Sequence, residues 1–218
     1  TVAAMLGRAR SEEMPRLQAI IERQVTRMSN LIADLIDIAR ADAGKLRLRR
    51  EVIDMRAVVA EAVDTCRPGM NARAQRLETE LPPQMLQVDG DPGRLVQVLC
   101  NLLDNASKYT ADGGVIGLCL AAAGDDLRLA VRDNGIGISA QALPHVFERF
   151  LQEQHATDFN GTGLGIGLAV VRELVQAHGG SIQARSAGIG QGSQFVVTLP
   201  LHGIAKAALP DRGLNALQ

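Results

Sequence analysis

From Leu17 the apolar positions run Leu17, Ile21, Met28, Leu31, Leu35 and Ile38, spaced alternately by four and three residues once Gln24 is counted as one polar seam position. That is a heptad seam sustained for about three repeats. Ile20, Val25, Ile32 and Ile36 widen it beyond two positions per heptad, which suits a four-helix bundle better than a two-stranded coil. Residues 1–10 read as the tail of a preceding helix, and Ser11–Pro15 as a turn with Ser11 as cap and Pro15 in the next first turn. Gly44 is placed to stop the long helix. The pattern over residues 1–50 predicts a helical hairpin that dimerises, with an amphipathic helix packed on its own domain as the alternative.

Beyond residue 50 the periodicity changes. Residues 45–55 read as a short strand and linker, Arg56–Thr65 as a helix, and Pro68–Arg76 as loop or a further short helix. Leu77–Leu81 and Met85–Asp89 read as strands separated by Pro82-Pro83. Asp91-Pro92 opens a helix, with Asp91 as cap and Pro92 in the first turn. Val115–Ala121 and Leu127–Asp133 read as strands around a Gly124-Asp125-Asp126 turn, Ser139–Phe150 as a short helix, and Gly165–Ala177 as a helix that is apolar nearly all round. Ser181–Ser186 and Gln194–Leu199 read as the last strands, before a tail with little pattern. Strands that come in pairs between helices predict an α+β domain: a mixed, largely antiparallel sheet with helices on one face. The predicted division is 1–50, 51–203 and a tail, 204–218.

The polar residues that break the apolar pattern carry the chemistry. Asn101, Asn105 and Lys108 are four and three residues apart on an otherwise apolar helix, so they share one face. An amide–amide–ammonium stripe on a buried helix needs partners. A triphosphate with a divalent metal would supply them; an internal network capping a neighbouring loop is the other reading. Asp133-Asn134-Gly135-Ile136-Gly137-Ile138 ends a strand. There a carboxylate can accept from an exocyclic amine, and Gly135 and Gly137 would let a flat base approach the backbone. Gly161-Thr162-Gly163-Leu164-Gly165-Ile166-Gly167 opens a helix, where free N–H groups and the helix dipole favour a phosphate. No Lys-Ser/Thr follows and no strand precedes, which excludes a P-loop and a dinucleotide fingerprint. Gly188–Ser193 reads either as a plain glycine-rich hairpin or as a contact with those loops.

Composition narrows the function classes. A net charge of −1 and 2% aromatic residues argue against a nucleic-acid-binding protein. Of the few aromatics, Phe147, Phe150 and Phe159 crowd into one window. The three cysteines, Cys66, Cys100 and Cys119, have no CxxC spacing, as expected of reduced core cysteines in the cytoplasm. No apolar run is long enough to span a membrane.

Taken in order, these segments resemble the sensor histidine kinases of two-component systems, from about Leu17 to Leu201. Asn101–Thr110 resembles their asparagine box, Asp133–Ile138 the first glycine box, Val146–Phe150 the phenylalanine box and Gly161–Gly167 the second glycine box. His178-Gly179-Gly180 and Gly190–Phe195, which includes Ser193, resemble the segments that follow. The resemblance implies a Bergerat-type ATP-binding fold behind a dimerisation and phosphotransfer hairpin. It implies that Asn105 ligates Mg²⁺ through its amide oxygen, that Asn101 supports it, and that Lys108 and Tyr109 face the phosphates and the sugar. Asp133, with Gly135, Gly137 and Ile138, would take adenine; Ser193 would lie at the same site. Residues 147–162 would form a lid anchored by Phe147 and Phe150, with Arg149 available to the γ-phosphate, and Gly161, Thr162, Gly163, Leu164 and Gly165 would approach the phosphates. The implied partners are a second copy of the chain, through the hairpin, and the receiver domain of a response regulator. The implied setting is cytoplasmic, within a protein that is membrane-anchored or not.

The chain departs from that pattern in three places. Its histidines are His145, His155, His178 and His202, so none lies where the phosphoacceptor belongs; the chain is expected to start just after that motif, and His178 to be structural. Leu151-Gln152 replaces an aromatic and a basic residue. Asn101 stands where related hydrolysing ATPases place a glutamate. An amide is no general base for water, which favours phosphotransfer to histidine over hydrolysis. The alternatives are a nucleotide-binding or dimerisation module without kinase activity, and an ATPase of the gyrase or chaperone type.

Overall fold

The computed structural model describes residues 46–151 and 165–203, together with Phe159 and single positions between Gln18 and Arg40. The chain divides into two compact units, Thr1–Arg47 and Leu48–Gln218. In the first, the described positions are helical up to Arg40. Val25, Met28, Ile32, Leu35 and Ile36 are exposed there. The expected hairpin turn, the Gly44 stop, the preceding helix and the tail 204–218 lie outside the described residues.

The second unit runs β1 (Glu51–Asp54), α1 (Met55–Ala72), β2 (Arg76–Glu80), β3 (Gln87–Gly90), α2 (Pro92–Tyr109), β4 (Val115–Ala123), β5 (Asp126–Asp133), α3 (Gly167–Ala177), β6 (Ser181–Arg185) and β7 (Ser193–Pro200). Five strands form one sheet in the order β2-β4-β5-β7-β6, and β1 pairs with β3 apart from it. All neighbours are antiparallel except β2 and β4. Period-two burial explains the single covered face: Ile116, Leu118, Leu120, Leu127, Leu129, Val131, Phe195, Val197 and Leu199 are all buried, whereas Arg128 and Arg132 between them are exposed. The helices complete the core with Val58, Val59 and Ala62 from α1, Leu95, Leu99, Leu102 and Leu103 from α2, and Val170, Val171 and Leu174 from α3. The mixed α+β sheet is therefore as its sequence pattern predicts.

Three elements differ from expectation. Helix α1 does not end near Thr65; it continues through Pro68 to Ala72. An internal proline costs about 3 kcal/mol. Val63, Cys66 and Met70 are nonetheless buried on both sides of it, and that burial carries the helix on. The helix expected over Ser139–Phe150 shrinks to one 3-10 turn, Leu143–His145, with no buried residue of its own. Without an apolar stripe to bury, propensity alone does not hold a helix. Finally, Cys100 and Cys119 are half-buried rather than core residues; only Cys66 is buried.

Candidate functional site

Helix α2 is set at both ends. Asp91 caps it, accepting from Arg94 N–H at 3.2 Å, with Pro92 in its first turn. His178 is tied to this cap: its Nε2 accepts from Asp91 N–H at 3.0 Å and its Nδ1 lies 2.7 Å from Leu174 O. The two bonds fix the neutral Nδ1–H tautomer. Burial pushes the ring's pKa below its ordinary value. His178 thus joins the end of α3 to the start of α2, the structural role expected for it. At the other end of α2, Gln75 Nε2 donates to Ser107 O and Thr110 O, both at 2.9 Å, and Arg73 Nη1 donates to Ser107 O. Ser107 Oγ returns a bond to Gln75 Oε1 at 2.6 Å. Those last-turn carbonyls have no partner within the helix. Gln75 and Arg73 went unremarked in the sequence, because a glutamine three residues past a helix end carries no distinctive signal.

The polar stripe then faces the other elements. Asn101 lies against the start of α3, with its Cγ 3.8 Å from where a Cβ on Gly167 would sit. Its Nδ2 is buried and has no hydrogen-bond partner in the described structure. Helix α3 starts at Gly167 with no side-chain cap on its first turn. Its leading N–H groups therefore lack intrahelical partners, beside an orphaned amide. Asn105 is half-buried one turn along. Lys108 Nζ donates to Tyr109 Oη at 3.0 Å.

Asp133 ends β5 and is held by the chain itself. Its Oδ1 accepts from Gly135 N–H at 2.9 Å and Ser193 N–H at 3.3 Å, and its Oδ2 accepts from Ser193 Oγ at 2.6 Å. Burial pushes its pKa above the usual carboxylate range, opposed by those bonds. The glycine turn after it packs on the end of α2: Ile136 N–H donates to Tyr109 O at 3.0 Å, and a Cβ on Gly135 would stand 2.1 Å from that oxygen. Of the two readings open for Gly188–Ser193, the contact with these loops is the one found. Gly190 N–H donates to Ile136 O at 2.7 Å and Gly192 N–H to Gly135 O at 3.1 Å. Gly192 has φ +68°, and a side chain there would meet Asp133 O at 2.0 Å, so only glycine fits. Ser186, which the sequence did not single out, completes the junction by accepting from Ile138 N–H at 3.0 Å and donating to Gly192 O at 2.7 Å.

The expected lid is only partly in view. Phe147 is half-buried and meets Phe195 edge to face, ring centroids 6.2 Å apart. Phe150, expected to anchor the lid with Phe147, is 66% exposed with φ +63°. Its N–H donates to Gly165 O at 2.9 Å, where the two backbone segments run close together. Arg149 pairs with Glu173 of α3 at 3.7 Å. Gly161, Thr162, Gly163 and Leu164 lie outside the described residues. Among the described residues no cluster of three or more His, Cys, Asp or Glu could hold a metal. A Mg²⁺ held by an amide oxygen and substrate phosphates needs no such cage.

Helix α2 thus stands between the Asp133 glycine turn, packed on Tyr109 at its last turn, and the uncapped start of α3, beside Asn101. Residues 90–203, just over half of the chain, match the family described as histidine kinase-, DNA gyrase B-, and HSP90-like ATPase. The chain belongs to that family. It is 34% identical over 191 residues to the sensor histidine kinase RcsC of Escherichia coli, covering 84% of this chain and 20% of RcsC. It is 31% identical over 198 residues to the adaptive-response sensory kinase SasA of Synechococcus elongatus, covering 89% of this chain and 50% of SasA. It therefore spans between about a fifth and a half of these curated relatives. Among solved structures it resembles the Acinetobacter baumannii histidine kinase AdeS, with TM-score 0.66, 28% identity and coverage of 83% and 81% of the two chains. It also resembles full-length ShkA in complex with AMPPNP, with TM-score 0.70, 28% identity and coverage of 80% of this chain and 36% of that one. No described helix is long and apolar enough to cross a membrane.

Proposed function

We propose that this chain is the ATP-binding catalytic part of a sensor histidine kinase, passing the γ-phosphate of ATP to a histidine and thence to an aspartate on a response-regulator receiver domain. The observation that carries it is the buried, unpartnered Nδ2 of Asn101 beside the uncapped start of α3. A buried amide without a partner costs about 1–3 kcal/mol, and a bound phosphate group would supply what both features lack. The AMPPNP in the ShkA complex supports the same ligand class.

In this reading Asp133, fixed by Ser193 and Gly135, accepts from the adenine amine. Gly135, Gly137 and Ile138 form the floor beneath the base. Lys108 and Tyr109 face the phosphates and the sugar, and Gly161–Gly165 approach the phosphates. Arg149, now at Glu173, is the cation available to the γ-phosphate. The amide oxygen of Asn105 suits Mg²⁺, a hard cation that prefers oxygen. Mg²⁺, when bound, would neutralise charge on the transferring phosphate. Asn101 in the place of a glutamate leaves no base there to activate water, so the nucleophile is the acceptor imidazole. The exposed Val25, Met28, Ile32, Leu35 and Ile36 support a second copy of the chain as partner through residues 1–50, ahead of a catalytic domain at 51–203 on the cytoplasmic side. The test is transfer from γ-labelled ATP, with Mg²⁺, to a separately supplied histidine-bearing kinase hairpin. Acid-labile, base-stable label on that hairpin is expected. Steady ATP turnover without label transfer would instead place the chain with the hydrolases.

A further inference from the structure

Ser186 follows the last residue of β6, Arg185, and is half-buried. Its hydroxyl gathers three backbone groups. It accepts from Ile138 N–H at 3.0 Å and from Gly188 N–H at 3.3 Å. It donates to Gly192 O at 2.7 Å, the nearer of two carbonyls, with Gly188 O at 3.4 Å. A hydroxyl has one proton and two lone pairs, so these bonds use all that it has. The groups belong to two different segments. Ile138 ends the glycine turn after Asp133, and Gly188 and Gly192 lie in the connection from β6 to β7.

Both segments shape the Asp133 end of the site. The connection runs on into Ser193, whose N–H and Oγ hold the Asp133 carboxylate. The turn supplies Gly135 N–H to the same carboxylate. Gly137 packs so closely on the connection that a Cβ there would stand 2.1 Å from Gly188 O. Gly190 N–H and Gly192 N–H bond Ile136 O and Gly135 O, and Ile136 N–H bonds Tyr109 O. Those three bonds are between main-chain groups, so none depends on the Ser186 side chain. Ile138, the last residue of the turn, is fixed to the connection by the Ser186 hydroxyl. Losing that hydroxyl leaves a folded site whose floor can shift against Asp133.

On the reading that Asp133 takes adenine, we propose that Ser186 is a positioning residue. It sets the place of the glycine floor under the base relative to the carboxylate that accepts from the 6-amino group, and so gives the site its preference for adenine. It acts through Ile138, Gly192 and Ser193 rather than on the base. A site that hydrogen-bonds a substrate N–H rejects an analogue lacking it, and a misplacement of about 1 Å removes much of that advantage.

The experiment displaces a fluorescent adenine nucleotide from the whole 218-residue chain with ATP and with purine riboside triphosphate, which lacks only the 6-amino group. The wild type should prefer ATP about 10–100-fold. Ser186→Ala should weaken ATP about 10-fold and the analogue about twofold, narrowing the preference about fivefold. Ser186→Thr, which keeps the hydroxyl, should restore it. Urea unfolding of each variant separates selectivity from stability, which does not distinguish the two triphosphates. A Ser186→Ala chain that keeps the wild-type preference would overturn the proposal, whatever its stability. Hydrogen exchange on the ligand-free wild type needs no variant: Ile138 N–H should be protected like Gly192 N–H, and exchange at the rate of an open loop amide would also overturn it. A wild type that binds ATP and the analogue equally would instead remove the adenine reading of Asp133, and this role of Ser186 with it.

Discussion

The carboxylate of Asp133 takes three hydrogen bonds from its own chain, whereas Nδ2 of Asn101 is buried with none. The two residues belong to one proposed ligand site, at opposite ends. The Asp133 end is finished by folding: β5, β7 and two glycine turns lock it before any ligand arrives. The Asn101 end is left short of partners. A rigid base pocket lowers the ordering cost of binding, while an unsatisfied phosphate end stores a cost that only the ligand relieves. The difference teaches that substitution should change stability in opposite directions at the two ends while weakening binding at both.

Between the two ends compared, the larger expected effect is at the finished one. Asp133→Ala removes a charged acceptor and orphans Ser193 Oγ and Gly135 N–H. Adenine-nucleotide affinity should fall about 10–100-fold, and stability by about 1–3 kcal/mol, read by fluorescent-nucleotide titration and urea unfolding. An affinity loss without a stability loss would break the comparison. Gln75→Ala disturbs α2, which serves both ends, by removing the Gln75 donor from Thr110 O, one of two donors from Ser107 O, and the acceptor of Ser107 Oγ. It should cost about 1–3 kcal/mol of stability and shift affinity less than Asp133→Ala.

Asn101→Leu separates the ends most cleanly. Removing an unpaired buried amide in favour of a similar apolar shape should stabilise the ligand-free chain by about 1 kcal/mol while weakening nucleotide binding. Thermal unfolding with and without nucleotide measures both; a destabilised ligand-free variant would mean that Asn101 is already satisfied.

The smallest effect is on pH. His178 is held neutral, its folded pKa lying below the ordinary 6.5. The unfolded chain therefore binds the proton more readily, and stability falls as pH drops below about 6.5 toward the folded value. Asp133 has the opposite sign: its raised pKa means that folding favours the protonated form between 3.8 and the folded value. Urea unfolding across pH should show the His178 slope, and His178→Gln should flatten it.

Much of this was legible in the sequence. Proline and aspartate at Asp91-Pro92, and glycine spacing around Asp133, have local physical causes that a sequence displays. The junction of Gly188–Ser193 with Gly135–Gly137 was open, because a glycine run states that backbones approach closely without naming which. The continuation of α1 through Pro68 was hidden, since tertiary burial of Met70 outweighed a local breaker. Phe150 was hidden in the same way: an aromatic in a crowded window reads as an anchor, but its exposure and left-handed φ are set by tertiary surroundings that a sequence does not display.

The central claim is that α2 offers an oxygen ligand for a metal-bound nucleotide. Equilibrium binding of a fluorescent adenine nucleotide, with and without Mg²⁺, to the wild-type chain and to Asn105→Asp tests it most directly. Magnesium-dependent binding that Asn105→Asp abolishes is the predicted result. Binding that is indifferent to both magnesium and the substitution would contradict it.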